Sequence, residues 1–206
     1  MQSKILSWQI AWDLPAFRVK LLLGLFLLGL TLFILPHFFV YIQGRDGFIV
    51  NDVVLNSIPA LDVSPYIFLV LYPAIGFFIW QLIGNTEMCV TALWGYLFMC
   101  MARIATIFLI PLTEPASLVP MSDPFLILFY GSHAITKDLF FSGHTATLFL
   151  IGLCLENKVQ KRIVFAGTAI LGVLLLIQHI HYTMDVLAAP VFSYLFWYLG
   201  KTIAKM

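Results

Sequence analysis

Residues 19–42 read VKLLLGLFLLGLTLFILPHFFVYI, with Lys20 as the only formal charge in the run. A membrane-spanning helix needs about 20 predominantly apolar residues, and this stretch supplies them without a break. Comparable apolar stretches follow at roughly 66–83, 88–112, 140–156, 162–180 and 183–200. The sequence therefore predicts an all-α fold, an integral membrane bundle of six transmembrane helices. Pro36 and Pro73 fall inside spans and predict kinks. Residues 1–18 carry Trp8 and Trp12 among Lys4, Asp13 and Arg18, which fits a short interfacial segment with its indoles at headgroup level rather than a signal peptide. Residues 19–206 then form the six-span membrane domain. Residues 124–131 are apolar but too short to cross, and predict an interfacial or re-entrant segment.

Composition agrees with the pattern. Of the 206 residues, 62% are hydrophobic and 10% charged, whereas a soluble domain carries about 25% charged residues. The net charge of +1 gives no footprint for a nucleic-acid partner. Cys89, Cys100 and Cys154 sit deep in apolar runs and predict free, buried thiols rather than a disulfide framework.

Lysine and arginine set the expected orientation. Lys4, Arg18 and Lys20 precede or open the first span, Lys158, Lys161 and Arg162 fill the turn after the fourth, and Lys201 and Lys205 follow the sixth. Even-numbered spans put all of these on one side, so both termini are expected to be cytoplasmic. The loops of the outer side hold Arg45 and Lys137 beside Asp46, Asp52, Asp62, Glu114, Asp123 and Asp138.

Two polar strings interrupt the apolar C-terminal third: Asp138-Leu-Phe-Phe-Ser-Gly-His144-Thr145 and His179-Ile-His181-Tyr-Thr-Met-Asp185-Val. In this topology both lie at the outer ends of spans, at one depth. Ionisable groups are costly there and mark a site. If residues 181–185 are helical, His181 and Asp185 stack on one face. The carboxylate then fixes the imidazole tautomer and stabilises positive charge as the other nitrogen attacks a phosphorus atom. His144 is placed to act as general acid to a leaving alkoxide. Ser142 and Gly143 allow a close backbone approach to phosphate oxygens. Arg103, Lys137 and His179 are the cationic candidates for charge on the equatorial oxygens. Arg103 has a structural alternative, an ion pair with Asp62 or Asp138, and Lys137 has one as an interfacial anchor. His37 and His133 are assigned no function.

These two strings resemble the catalytic motifs of the sphingomyelin synthase family, within the wider type 2 phosphatidic acid phosphatase superfamily. Ile58-Pro-Ala-Leu-Asp62 and Arg103-Ile-Ala-Thr106 with Pro111-Leu-Thr-Glu-Pro115 are similar to two further motifs of that family. The resemblance covers residues 55–200 and points to a compact, bacterial-type relative. It implies that His181 becomes a phosphohistidine, Asp185 supports it and His144 protonates the leaving alcohol. It further implies a phospholipid donor, a lipid or alcohol acceptor, no metal or other cofactor, and an active site toward the extracytoplasmic face. The chain departs from the family in having Thr136-Lys137 in place of a Cys-Gly pair, and Ile180 between the last two histidines. It also lacks the Ser-Arg that precedes the superfamily's nucleophilic histidine, with Leu174-Leu175 at that spacing.

Hydrolysis of phospholipid or isoprenoid phosphates at the same site is the alternative activity, differing only in whether water reaches the acceptor position. A lipid or ion carrier without chemistry would place its polar groups near the bilayer midplane. A haem-binding electron carrier would use span histidines as axial ligands and leave Asp185, Ser142 and Gly143 unexplained.

Overall fold

The computed structural model describes residues 7–121 and 135–205. Among these, regular structure is helical, with one isolated bridge between Phe48 and Leu112. The helices are α1 (Trp8–Asp13), α2 (Pro15–Gln43), α3 (Val53–Ser57), α4 (Ser64–Ile83), α5 (Thr86–Leu109), α6 (Gly143–Cys154), α7 (Lys158–Ile177) and α8 (Thr183–Ala204). The apolar segment 124–131, Asp123, His133 and Lys4 lie outside the described residues.

Side-chain caps set most of the starts. Ser7 accepts from the Ile10 amide, Asn85 from Met88, Ser142 from Thr145, and Asn157 from Val159 and Gln160. Each satisfies an amide that the first helical turn leaves without a partner. Pro15 and Pro65 stand in the first turns of α2 and α4, where a missing N–H does no harm. Pro36, Pro73 and Pro190 lie within continuous helices.

Among the described residues five helices, α2, α4, α5, α7 and α8, are long and apolar enough to cross a membrane. The expected fourth span, 140–156, contracts to the 12-residue α6. At 1.5 Å per residue such a helix covers about 18 Å of a hydrocarbon layer about 30 Å thick. Its first residues are drawn out of helical geometry because Arg103 and Thr106 on α5 donate to the carbonyls of Phe141 and Phe140. The fifth expected span, 162–180, starts earlier at the Asn157 cap and ends at Ile177, before His179 enters the left-handed region at φ 56°.

Cross-links show how the ends are sorted. Lys20 Nζ donates to the Lys205 carbonyl, Trp8 Nε1 to Ile83, and Gln81 Nε2 to Gln160. The α1 helix, the start of α2, the ends of α4 and α8 and the start of α7 thus share one end of the bundle, with Arg18, Lys158, Lys161, Arg162 and Lys201. The opposite end gathers the ends of α2, α5 and α7 and the starts of α4, α6 and α8. There the Arg45 guanidinium donates to the Ile107 and Phe108 carbonyls at 2.6 and 2.8 Å, closing the C-terminus of α5.

α5 is the central element and crosses α8 at close range. A Cβ at Gly200 would stand 2.4 Å from the Thr91 carbonyl oxygen and 2.8 Å from the Gly95 nitrogen. Backbones approach this closely in membranes only through small residues. Gly200→Val should therefore lower thermal stability in detergent, with an overpacking cost of about 1–3 kcal/mol. Gly29→Val, where no atom lies within 4 Å of the added Cβ, should change the melting temperature far less; equal shifts would contradict the crossing.

Candidate active site

The site is built where α6 and α8 begin. Tyr182 is the N-cap of α8, and its amide donates to Asp185 Oδ2 at 3.0 Å. Asp185 thereby closes the first turn from the inside and is fully buried. His181 precedes the helix instead of opening it, because the chain is extended at Tyr182. The two side chains still approach: the carboxylate reaches back over the turn, with Oδ2 3.5 Å from His181 Nδ1, although this contact leaves Nδ1 without a hydrogen-bond partner among the described residues. This is the outer limit of a hydrogen bond, and the same oxygen also accepts the Tyr182 amide. His181 is itself buried, at 2% exposure.

The opposite imidazole comes from α6. Ser142 caps that helix, and its own amide donates to the Asp185 carbonyl at 3.0 Å, binding the two helix starts together. The His144 and His181 rings then lie 6.3 Å apart, centroid to centroid, at 65° to each other. Helix N-termini carry partial positive charge and unpaired amides, so both dipoles favour an anion near the paired rings.

Arg103 fixes this geometry from behind. It is 8% exposed and pairs with Asp138, while its other terminal nitrogen donates to the Phe141 carbonyl. Thr106 Oγ1 donates to the Phe140 carbonyl at 2.9 Å. Together they clamp the extended segment 138–142 against α5. A Cβ at Gly143 would lie 2.8 Å from the guanidinium carbon, so a larger residue there would displace the Arg103 side chain. Of the two structural partners expected for Arg103, Asp138 is the one present.

His179 follows α7, with Nδ1 2.6 Å from Ser117 Oγ. Its Nε2 is buried without a partner among the described residues. Lys137 extends away, its ammonium donating to the Arg45 carbonyl, while Gln43 accepts from its amide and bonds Thr136. Asp62 is exposed and accepts from the Ser64 hydroxyl at 2.7 Å and amide at 3.0 Å. These two bonds, the hydroxyl's first, hold its carboxyl below the usual range. His144, His181, Asp185, Ser142, Gly143, Arg103 and Asp138 therefore form one cluster. His179 stands beside it, while Lys137 and Asp62 are engaged elsewhere.

Three supporting residues escaped sequence reasoning. Gln178, fully buried, links α4 to the site end: its amide nitrogen donates to Ser64 Oγ, its side-chain oxygen accepts from Val63, and its backbone carbonyl accepts from Val119. The Tyr182 hydroxyl donates to the Thr113 carbonyl at 2.9 Å. Asp52 caps α3 and also accepts from the Thr183 amide at 2.6 Å and hydroxyl at 2.9 Å, fastening α3 to the start of α8. Only Asp52 carried a local signal, an aspartate immediately before a short apolar run. Buried side-chain atoms left unpaired among the described residues are Asp185 Oδ1, His181 Nδ1, His179 Nε2, Thr145 Oγ1 and Glu114 Oε2. All belong to this end of the bundle. Among the described residues no group of three or more His, Cys, Asp or Glu side chains could hold a metal ion.

Asp52 also gives the site a pH dependence. Burial raises its pKa, but the hydrogen bonds from Thr183, Leu55 and Val54 outweigh it and leave the carboxyl below its ordinary value. A depressed value means stability that is complete above the unfolded carboxylate pKa of about 3.9 and lost as pH falls from there through the lower folded value. Asp52→Asn should flatten the acid limb of the melting temperature measured from neutrality to pH about 3. An unchanged acid limb would remove this assignment.

Comparison with known proteins covers the C-terminal third. No curated protein matches the chain, and no solved structure matches it. Residues 137–202, the segment that carries both histidine strings and α6 to α8, match the family described as PAP2 superfamily C-terminal.

Proposed function

We propose that the protein is an integral-membrane lipid phosphotransferase, resembling sphingomyelin synthase, that works through a phosphohistidine. The observation that carries this is the arrangement of His144 and His181 with ring centroids 6.3 Å apart, beside buried Asp185. That spacing lets one phosphorus atom and its leaving oxygen sit between them. The match of residues 137–202 to the PAP2 superfamily C-terminal family supports the same chemistry.

In the first step His181 Nε2 attacks phosphorus, a P–N bond forms and the P–O bond to the lipid alcohol breaks. His144 donates its proton to the departing oxygen. Asp185, facing Nδ1 of His181 at 3.5 Å, stabilises the positive charge that the ring acquires. In the second step His144 takes the proton of an acceptor hydroxyl, whose oxygen attacks phosphorus while the P–N bond breaks and frees His181. With water as acceptor, the same steps hydrolyse a lipid phosphate. Amides at the starts of α6 and α8 supply donors for the equatorial oxygens. Arg103 acts as a positioning residue, holding the segment that carries Ser142, Gly143 and His144. No step calls on a metal.

The site is assigned to the extracytoplasmic face, with both termini cytoplasmic. Support comes from the collection of Arg18, Lys20, Lys158, Lys161, Arg162, Lys201 and Lys205 at the other end of the bundle, in keeping with the bias of cytoplasmic segments toward lysine and arginine.

Purified protein in mixed phospholipid vesicles, with and without ceramide, should move a labelled phospho-headgroup from donor to acceptor, read by mass spectrometry of the lipids. His181→Ala should abolish turnover and His144→Ala should reduce it by about 10²–10⁴-fold. Asp185→Asn should slow phosphoenzyme formation by a comparable factor. Acid-labile label trapped on His181 is the expected intermediate; full activity in the His181 variant would eliminate the mechanism.

A further inference from the structure

The end of the bundle opposite the paired imidazoles holds a cavity of about 530 Å³, where α5 and α7 begin and α6 and α8 end. Along α5, Glu87 at the cavity lies about 24 Å from Arg103 at the other site. Buried Thr91, Cys154 and Leu155 line the interior. Four charged side chains line it nearer the surface: half-buried Glu87 and Lys161, and exposed Glu156 and Lys201. The volume falls within the range of small-molecule sites, about 300–1,000 Å³.

Three of these charges have structural supports. Glu87 stands in the first turn of α5 and Lys201 in the last turn of α8, each favoured by the dipole of its helix. Glu156 accepts from Asn85 Nδ2 at 2.8 Å. Lys161 has no such support. It closes the first turn of α7, at the positive end of that helix, where a further cation is disfavoured unless an anion joins it. Neither lysine forms an ion pair among the described residues, although two carboxylates line the same cavity. The Lys201 ammonium lies 4.8 Å from the centroid of the Trp197 ring, and both ammoniums act electrostatically on the buried Cys154 thiol. The two cations therefore converge on the cavity, while the scaffold holds the carboxylates apart from them.

An occupant has to answer both signs. A phosphate alone would meet Glu87 and Glu156, and an amine alone would meet the lysines. A phosphate joined to a primary amine by a short linker satisfies both, through charge-assisted hydrogen bonds at each end. A trimethylated amine fits less well. It offers no N–H to the carboxylates, and the indole face that would hold it already carries Lys201. Span ends lie at the level of phospholipid headgroups, which brings such a group within reach. We propose that this cavity binds a phosphoethanolamine group, its phosphate between Lys161 and Lys201 and its ammonium against Glu87 and Glu156. The group is held and not processed, so the site stands apart from the chemistry at His144 and His181.

Full-length protein in detergent is titrated with dihexanoylphosphatidylethanolamine, its choline and glycerol counterparts, and soluble phosphoethanolamine, and followed by hydrogen–deuterium exchange. The ethanolamine lipid should slow exchange in peptides covering residues 85–91 and 153–161. Lys161→Gln and Lys201→Gln should each raise its apparent Kd about tenfold, the effect of losing one charge-assisted bond. Lys161→Arg should restore most of that loss, as it keeps the charge. Lys158→Gln, exposed on the same turn and outside the cavity lining, should bind as the wild type does, and so should His181→Ala. Equal protection by soluble phosphoethanolamine assigns the site to the group itself, and protection by the lipid alone assigns it to a phospholipid of the adjoining leaflet; both support the proposal. Equal protection by the choline or glycerol lipid overturns it, as does an equal loss in Lys158→Gln. No slowing of exchange, or slowing confined to residues 142–145 and 181–185, overturns it as well.

Discussion

The pairing of buried Arg103 with half-buried Asp138, reinforced by the bond from Arg103 to the Phe141 carbonyl, is the constraint on which the site depends. An arginine inside an apolar bundle needs an anionic partner and full hydrogen bonding, or its desolvation outweighs its attraction. Here it finds both on the segment leading into α6. That segment is consequently held extended, α6 starts late at Gly143, and His144 is presented beside α8. A helix running unbroken from residue 140 would leave the carbonyls of Phe140 and Phe141 inside its own ladder, with nothing to offer α5.

A second link completes the arrangement from the other side. The Ser142 amide bonds the Asp185 carbonyl, and the Asp185 side chain bonds the Tyr182 amide. One residue thus joins two helix starts and faces the proposed nucleophile. Asp52, Gln178 and Tyr182 add ties from the segments before and after α3, from the start of α4 and from the segment following α5. The end that holds the candidate site is consequently stitched by polar contacts, while the middle of the bundle is held by apolar packing and by the glycine-mediated crossing of α5 and α8. This division follows from the surroundings: polar ties are costly inside hydrocarbon and natural near its boundary.

Much of this was legible in the residues. The long apolar runs gave α2, α4, α5, α7 and α8 to within a few residues at most ends, because hydrocarbon thickness dictates length. The motif strings gave His144, His181 and Asp185 as a group, and helix directions gave them a common depth. The start of α6 and the end of α7 were misplaced for one reason. Apolar content continues through Phe140, Phe141, His179 and Ile180, whereas their backbone bonds go to partners distant in sequence or into a left-handed turn.

Composition, span length and the spacing of the histidine strings by themselves determined a helical membrane bundle with a polar cluster toward one end, since these depend only on burial and chain geometry. Tertiary structure alone decided that Arg103 serves Asp138 and not Asp62, that Lys137 turns to Arg45, that Asp52 anchors α8, and that α6 stops short. Each of those is a choice among partners similar in chemistry and distant along the chain. Only the packed arrangement of helices brings one partner within hydrogen-bonding distance and carries the others away.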